Sequence, residues 1–172
     1  FFFFKQKTAY EIIALREKIK NGPKDKVYDV ELTYITSRGN WYHHSWKGDV
    51  SKSGGIATNI GIHFFDMLIW VFGDVIVNSA KELCDSKASG YLELSQARVN
   101  WKLSVDYEGI PDGLKALRKR TYRSLSIEGN EVEFSEGFGD LHVNSYQEIL
   151  KDQGFGLEDS RPSIEVVSKF RV

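Results

Sequence analysis

The chain has 172 residues, 41% of them hydrophobic and 13% aromatic, enough to bury one sizeable core and to imply a single domain. Its 23 basic and 24 acidic side chains are well mixed and sum to −1, a balance that gives no sign of a nucleic-acid or membrane partner. The single cysteine, Cys84, excludes an intramolecular disulfide and a multi-cysteine zinc site, and fits a reducing, cytoplasmic setting.

The first twelve residues stand apart. Phe1 to Phe4 precede Lys5-Gln6-Lys7-Thr8-Ala9-Tyr10-Glu11-Ile12, with the apolar part first and no cleavage site after it, which is unlike a signal peptide. The segment resembles, residue for residue, a translated sequencing-library adapter behind a run of thymines. Residues 1–12 are therefore expected to be an artefact, with the natural polypeptide entered in mid-gene near Ile13 and one domain over residues 13–172.

Ile13 to Ile19 reads as the last turns of a helix, ended by Asn21-Gly22-Pro23, where glycine suits a left-handed cap and proline cannot continue the helix. Val27 to Thr36 reads as a strand, and a polar, aromatic loop follows through Lys52. Ile60, Phe64, Met67, Leu68 and Val71 recur at helical spacing, with Gly73 at the C-terminal cap. The apolar run Ile60 to Phe72 is interrupted by Gly61, His63 and Asp66, and is too short and too polar to span a bilayer. Leu92 and Leu94, then Val99, Trp101, Leu103 and Val105, alternate as one-sided stripes of long strands. Asp112 to Lys119 reads as a long loop. Tyr122 to Ile127 and Val132 to Phe134 flank Gly129-Asn130 as a hairpin. Asp140 is placed to cap a helix running to about Asp152, and Ser160 with Pro162 to start a last helix toward Val172. This order argues an α+β fold: an open, largely antiparallel β-sheet with helices on one face. No strand leads into a GxGxxG turn, so the sequence carries no dinucleotide fold of its own.

One stretch carries chemistry. Asn59 and His63, four apart on a helix, project from the same face, and Asp66 lies within reach of His63 to fix its tautomer. Gly61 between them would let another backbone or a ligand approach closely. An imidazole near its ordinary pKa can accept a hydroxyl proton. The spacing alone equally suits a satisfied core histidine on an amphipathic helix.

The residues Lys52-Ser53-Gly54-Gly55, Asn59-Ile60-Gly61-Ile62-His63-Phe64-Phe65-Asp66 and Trp70-Val71-Phe72-Gly73 resemble the C-terminal domain of the Gfo/Idh/MocA oxidoreductase family. Tyr34 to Tyr42, Ser45-Trp46-Lys47-Gly48, Lys119 to Ser124, Phe134 to Phe138 and Gly154 to Asp159 are similar to one branch of it. That branch oxidises the 3-hydroxyl of UDP-N-acetylglucosaminuronate with NAD, for bacterial surface polysaccharides such as lipopolysaccharide O-antigen. The resemblance covers nearly everything from Ile13 onward. It implies a catalytic role for His63 and a positioning role for Asn59, which stands where many relatives have aspartate. It also implies NAD bound mainly by an N-terminal Rossmann domain missing here, a UDP-sugar substrate, and a homo-oligomer, by family a tetramer. The family's catalytic lysine belongs to a Glu-Lys-Pro motif in that N-terminal half. No Glu-Lys-Pro occurs in this sequence, so the chain alone is expected to be inactive.

Arg38 could fork onto a pyrophosphate or carboxylate, or be a surface arginine. Tyr42 could flank the sugar and Trp41 the nicotinamide, or both could simply pack. Lys47 could pair with an anionic substrate, or be a solvated loop charge. His43-His44 point apart on an extended loop with no carboxylate cluster, so no metal site is expected. Arg161 reads as a helix-start surface charge and His142 as structural. Two other readings remain open: a family member acting on another sugar or inositol, and a non-catalytic sugar-binding or oligomerisation module.

If residues 1–12 come from an adapter, amplifying the source locus across the codon for Ile13 should return different codons upstream. Recovering the Phe4-Lys5-Gln6-Lys7 codons from genomic DNA would refute this.

Overall fold

The computed structural model describes residues 10–132, 150, 151 and 156–170. Helix α1 (Tyr10–Asn21) leads into strand β1 (Tyr28–Thr36). Two short helices follow, α2 (Asn40–His44) and α3 (Val50–Ser53). A π-helical turn (Ala57–Gly61) opens helix α4 (Ile62–Phe72). Strands β2 (Val75–Leu83), β3 (Lys87–Leu94) and β4 (Ala97–Ser104) come next. Short helix α5 (Asp112–Ala116), strands β5 (Thr121–Ile127) and β6 (Asn130–Glu131), and helix α6 (Leu157–Ser168) complete the described elements.

The six strands form one sheet in the order β2-β3-β4-β1-β5-β6, antiparallel except where β1 lies parallel to β4. Register explains the covered face. Val30 lies opposite Val99 and Ile127, and Leu32 opposite Trp101 and Leu125, all of them buried. The next positions along the same strands face away and are charged or polar: Asp29 beside Arg98, and Glu31 beside Asn100, whose Nδ2 donates to Glu31 Oε1 at 2.8 Å. A side-chain period of two thus yields one apolar face for helices and one polar open face. The expected α+β architecture is the one observed.

Helix α4 is the centre of the covered side. Phe65 meets Trp101 edge-on at 5.2 Å, and Phe170 packs at 6.1 Å from the Phe65 ring. Val166 and Val167 of α6 are buried with them. From α1, Ile12 and Ile19, seven apart on one face, join the same core, and Arg16 Nε donates to the Trp70 carbonyl at 3.0 Å. The stretch 50–72 is long and apolar enough to cross a membrane by composition, but two-thirds of it is buried inside this core.

Several local expectations need correction. Helix α1 ends at Asn21 without a left-handed Gly22, whose N–H instead donates to the Ile19 carbonyl at 3.1 Å. The expected loop before Lys52 contains α2 and α3, so His43 and His44 sit on a helix and not on an extended loop. The expected loop 112–119 contains α5. Periodicity did not mark β2, because it is a bulged edge strand whose side chains are mostly exposed on both faces. The hairpin turns one residue earlier than expected, at Glu128 and Gly129, both with positive φ (52° and 76°), which leaves Asn130 paired with Ile127. Helix α6 starts at Leu157, not Ser160. Its first-turn Asp159 accepts from the Gly156 N–H at 2.7 Å, and Pro162 falls inside the helix. The helix expected from Asp140, the strand end at Phe134, and His142 lie outside the described residues.

At Gly61 the helical chain lies hard against the sheet. A Cβ there would lie 2.8 Å from both Leu103 Cδ1 and Phe65 Cε2. Leu103 and Phe65 are fully buried, so neither has room to move aside. Overpacking of this kind costs about 1–3 kcal/mol, against about 1 kcal/mol gained by replacing a helical glycine with alanine. Gly61→Ala should therefore lower the unfolding free energy by up to about 2 kcal/mol in urea titration. A stabilised variant would mean that the contact is slack.

Candidate functional site

The site grows from the chain that carries α3 into α4. Gly54 and Gly55 have φ of 74° and 79°, a pair of left-handed residues that few side chains tolerate, and they reverse the chain between the two helices. Gly54 N–H closes α3 on the Val50 carbonyl at 2.8 Å, and a Cβ at Gly54 would strike Thr58. The next helix begins with a π turn, a widened geometry that often marks functional positions. Asn59 lies in that turn and His63 one turn later, so the two project together. The close approach at Gly61 is to a side chain of β4, not to the backbone or ligand that the sequence suggested.

Beside these residues lies a cleft of about 310 Å³. Arg38, Tyr42, Lys47, Asn59 and His63, drawn from four different segments, all line it. Arg38 follows β1, with its N–H on the Val105 carbonyl at 3.3 Å. Tyr42 is buried on α2, and its hydroxyl accepts from Asn59 Nδ2 at 3.4 Å. Lys47 sits on a tight loop held by Ser45. Gly48 makes that loop possible, because a Cβ there would collide with the Tyr42 carbonyl. Trp41 is not part of the lining: it is 53% exposed and meets Tyr42 edge-on at 6.1 Å.

Two polar lining residues, Tyr34 and Arg123, were not singled out as site residues from the sequence. They stand directly opposite each other on β1 and β5, with the guanidinium 5.5 Å from the tyrosine ring centre. The Phe64 ring lies 4.7 Å from that of Tyr34, tilted by 45°. The signal was present: Ile127, Leu125 and Arg123 share one face of β5, so the arginine had to lie on the covered side of the sheet.

Electrostatically the cleft is cationic. Arg38, Lys47 and Arg123 line it, and no aspartate or glutamate does so among the described residues. Burial holds the His63 pKa below its ordinary value of about 6.5, so the ring is neutral at pH 7. Asp66 is 4% exposed and accepts a hydrogen bond from Ser163 Oγ of α6 at 3.2 Å, which ties one of its oxygens to helix packing. Among the described residues no three His, Cys, Asp or Glu side chains gather as a metal site. Arg161 pairs with Glu158 at 2.7 Å on the exposed side of α6, away from the cleft lining.

A neutral imidazole beside an amide and a phenol, in a cleft that attracts anions, is equipped to take a proton from a held hydroxyl. Residues 16–109, more than half of the chain, match the model of the Gfo/Idh/MocA oxidoreductase family, C-terminal alpha/beta domain. The chain belongs to this family. Among solved structures, the domain is similar to the WlbA (WbpB) dehydrogenase of Thermus thermophilus, which was determined with NAD and UDP-GlcNAcA. Identity is 44%, the TM-score is 0.90, and the match covers 99% of this chain and 54% of that one. The WlbA dehydrogenase of Bordetella pertussis, with NADH and UDP-GlcNAcA, shares the fold at 16% identity and TM-score 0.61, covering 94% of this chain and 55% of that one. A myo-inositol dehydrogenase of Corynebacterium glutamicum does so at 13% and 0.58, covering 96% and 59%. The family domain described here thus spans about half the length of the solved structures it matches.

The lowered pKa of His63 has a consequence for stability. Between the folded and unfolded pKa values the unfolded chain binds the extra proton, so stability rises with pH in that window. The contribution is complete above about pH 6.5, the unfolded value, and falls away as pH drops toward the folded one. Urea titrations between pH 5 and 8 should show this slope in the wild-type chain and a flatter one in His63→Asn. Identical slopes would show that burial does not govern the imidazole.

Proposed function

We propose that this domain is the substrate-binding half of an NAD-dependent dehydrogenase that oxidises the 3-hydroxyl of UDP-N-acetylglucosaminuronate, supplying an activated sugar for surface polysaccharide. The observation that carries this reading is the meeting of neutral His63 with Asn59, Tyr42, Arg38 and Lys47 in one cleft. It is supported by 44% identity, over almost the whole chain, to a dehydrogenase solved with that sugar nucleotide.

In this reading His63 takes the hydroxyl proton, sharing the proton work with a lysine of the N-terminal half. A neutral imidazole is in the protonation state that task requires. Asn59, steadied by the Tyr42 hydroxyl, holds a neighbouring sugar oxygen. Arg38 and Lys47 take the negative charges of the substrate, Arg38 through its planar fork. Both cations favour a charged sugar nucleotide over a neutral sugar or inositol. Bound NAD would accept the hydride. The residues described here fit only its reacting end, with Trp41, on the helix that carries Tyr42, offering an exposed ring to the nicotinamide. The left-handed Gly54-Gly55 pair is no pyrophosphate cradle, since Thr58 fills the space beside Gly54. The polar open sheet face offers a surface for a homo-oligomer, by family a tetramer, in the cytoplasm.

The test uses the enzyme encoded by the uninterrupted gene. His63→Asn keeps approximate size and hydrogen bonding but removes the base, so kcat should fall by about 10²–10⁴-fold while substrate affinity and melting temperature change little. The acid-side limb of the pH profile, where protonation of the imidazole removes the base, should flatten. Turnover of UDP-N-acetylglucosaminuronate by His63→Asn at the wild-type rate, at every pH, would remove the catalytic role.

A further inference from the structure

The stripe of side chains on the covered face of β1 and β5 changes character at its third rung. Val30 pairs with Ile127 and Leu32 with Leu125, apolar against apolar, and then Tyr34 pairs with Arg123. Packing alone would favour another apolar residue there, because a charge on the helix side of a sheet loses water and must be compensated. Arg123 is half-buried, its guanidinium is 5.5 Å from the Tyr34 ring centre, and both residues line the cleft that holds His63. Tyr34 is in turn fixed by the Phe64 ring at 4.7 Å, and Phe64 is the neighbour of His63 on α4.

We infer that Arg123 is a specificity-determining residue, the sheet-borne cation that binds the carboxylate of the sugar beside His63. This rests on the reading of the cleft as a sugar-nucleotide site and adds which group reads the sugar. Three cations face the cleft, and they differ in what holds them. Arg38 and Lys47 sit on segments outside the sheet, the first just after β1 and the second on a turn between two short helices. Arg123 alone rises from the middle of a paired strand, with both its register and its ring neighbour fixed. A rigid base is what discrimination between a carboxylate and a neutral hydroxymethyl group demands, since a loop cation can follow either ligand. The guanidinium also offers two parallel donors to a carboxylate, a geometry that an ammonium lacks.

Ligand-observed NMR on the 172-residue chain tests this without turnover, using UDP-N-acetylglucosaminuronate, UDP-N-acetylglucosamine and UDP. The wild-type chain should bind the uronate most tightly. Arg123→Leu should weaken the uronate at least tenfold, change the other two by less than threefold, and so erase the preference. Arg123→Lys keeps the charge without the fork. It should lose part of the preference, which keeps the question decidable if the leucine variant fails to fold. Equal weakening of all three ligands would assign Arg123 to the diphosphate and overturn the inference. So would an unchanged preference in both variants, or no binding to the wild-type chain. Because binding is read apart from catalysis, Arg123-dependent uronate binding alongside an inactive intact enzyme would sink the dehydrogenase reading and leave this one standing.

Discussion

The closeness of helix α4 to the sheet at Gly61 is the constraint on which the site depends. With hydrogen in place of a methyl group, the helix drops onto Leu103 of β4, beside the ring of its own Phe65. That contact sets the height of the next residues above the strands. The π turn that ends at Gly61 widens the helix there and carries Asn59 one turn before His63. A helix held further out would still bury its apolar stripe. It would not bring His63 into the same cleft as Tyr34 and Arg123, which belong to the sheet.

The covered side of the domain is thus divided in two. Over β3 and β4 it is an ordinary dry core of Trp101, Phe65 and Phe170. Past the end of that core, above β1 and β5, aromatic rings remain but charges enter among them: Arg123 at Tyr34, and Lys47 5.8 Å from the Trp46 ring. Cations against ring faces are attracted by the ring quadrupole, which offsets part of the lost hydration. The same partial burial that makes those charges costly strengthens their pull on an anion, since the surrounding dielectric is low. It also keeps His63 neutral, because nothing about burial favours the imidazolium. Anion binding and an unprotonated base therefore have one physical origin.

The parts of this arrangement that could be read from the sequence are those with short periods. Leu92, Leu94, Val99, Trp101 and Leu103 alternate, and they form the buried face of β3 and β4. Ile60, Phe64, Met67, Leu68 and Val71 repeat at helical spacing and pack as a helix. Asn59 and His63 are four apart, and Arg38, Tyr42 and Lys47 lie in one aromatic, basic stretch, so these five could be listed before their meeting place was known. What escaped depends on partners distant in sequence. Arg123 becomes a site residue only through its pairing with Tyr34, 89 positions earlier, a register that no local pattern displays. Edge strand β2 escaped because neither of its faces is buried, so it has no stripe to see. Trp41, beside Tyr42 in that stretch, does not line the cleft, and its side chain stays half in solvent.

The division of the site between segments also bears on how the domain would act with a second half. Its charged and hydrogen-bonding groups come from β1 and the segment after it, from β5, from α2 and the turn that carries Lys47, and from the start of α4, so one folded unit gathers all of the described lining. Trp41 and Trp46, both exposed and next in sequence to the lining residues Tyr42 and Lys47, offer large rings to a second domain. A cofactor domain docking over the cleft would add a hydride acceptor without having to rebuild the groups that hold the substrate. It would also expel water from a basin already lined by three cations, which strengthens each of their interactions with a bound anion. Substrate recognition and redox chemistry would then sit on separate folding units that meet over His63, and its neutral ring is the one proton acceptor that this half supplies from the described lining.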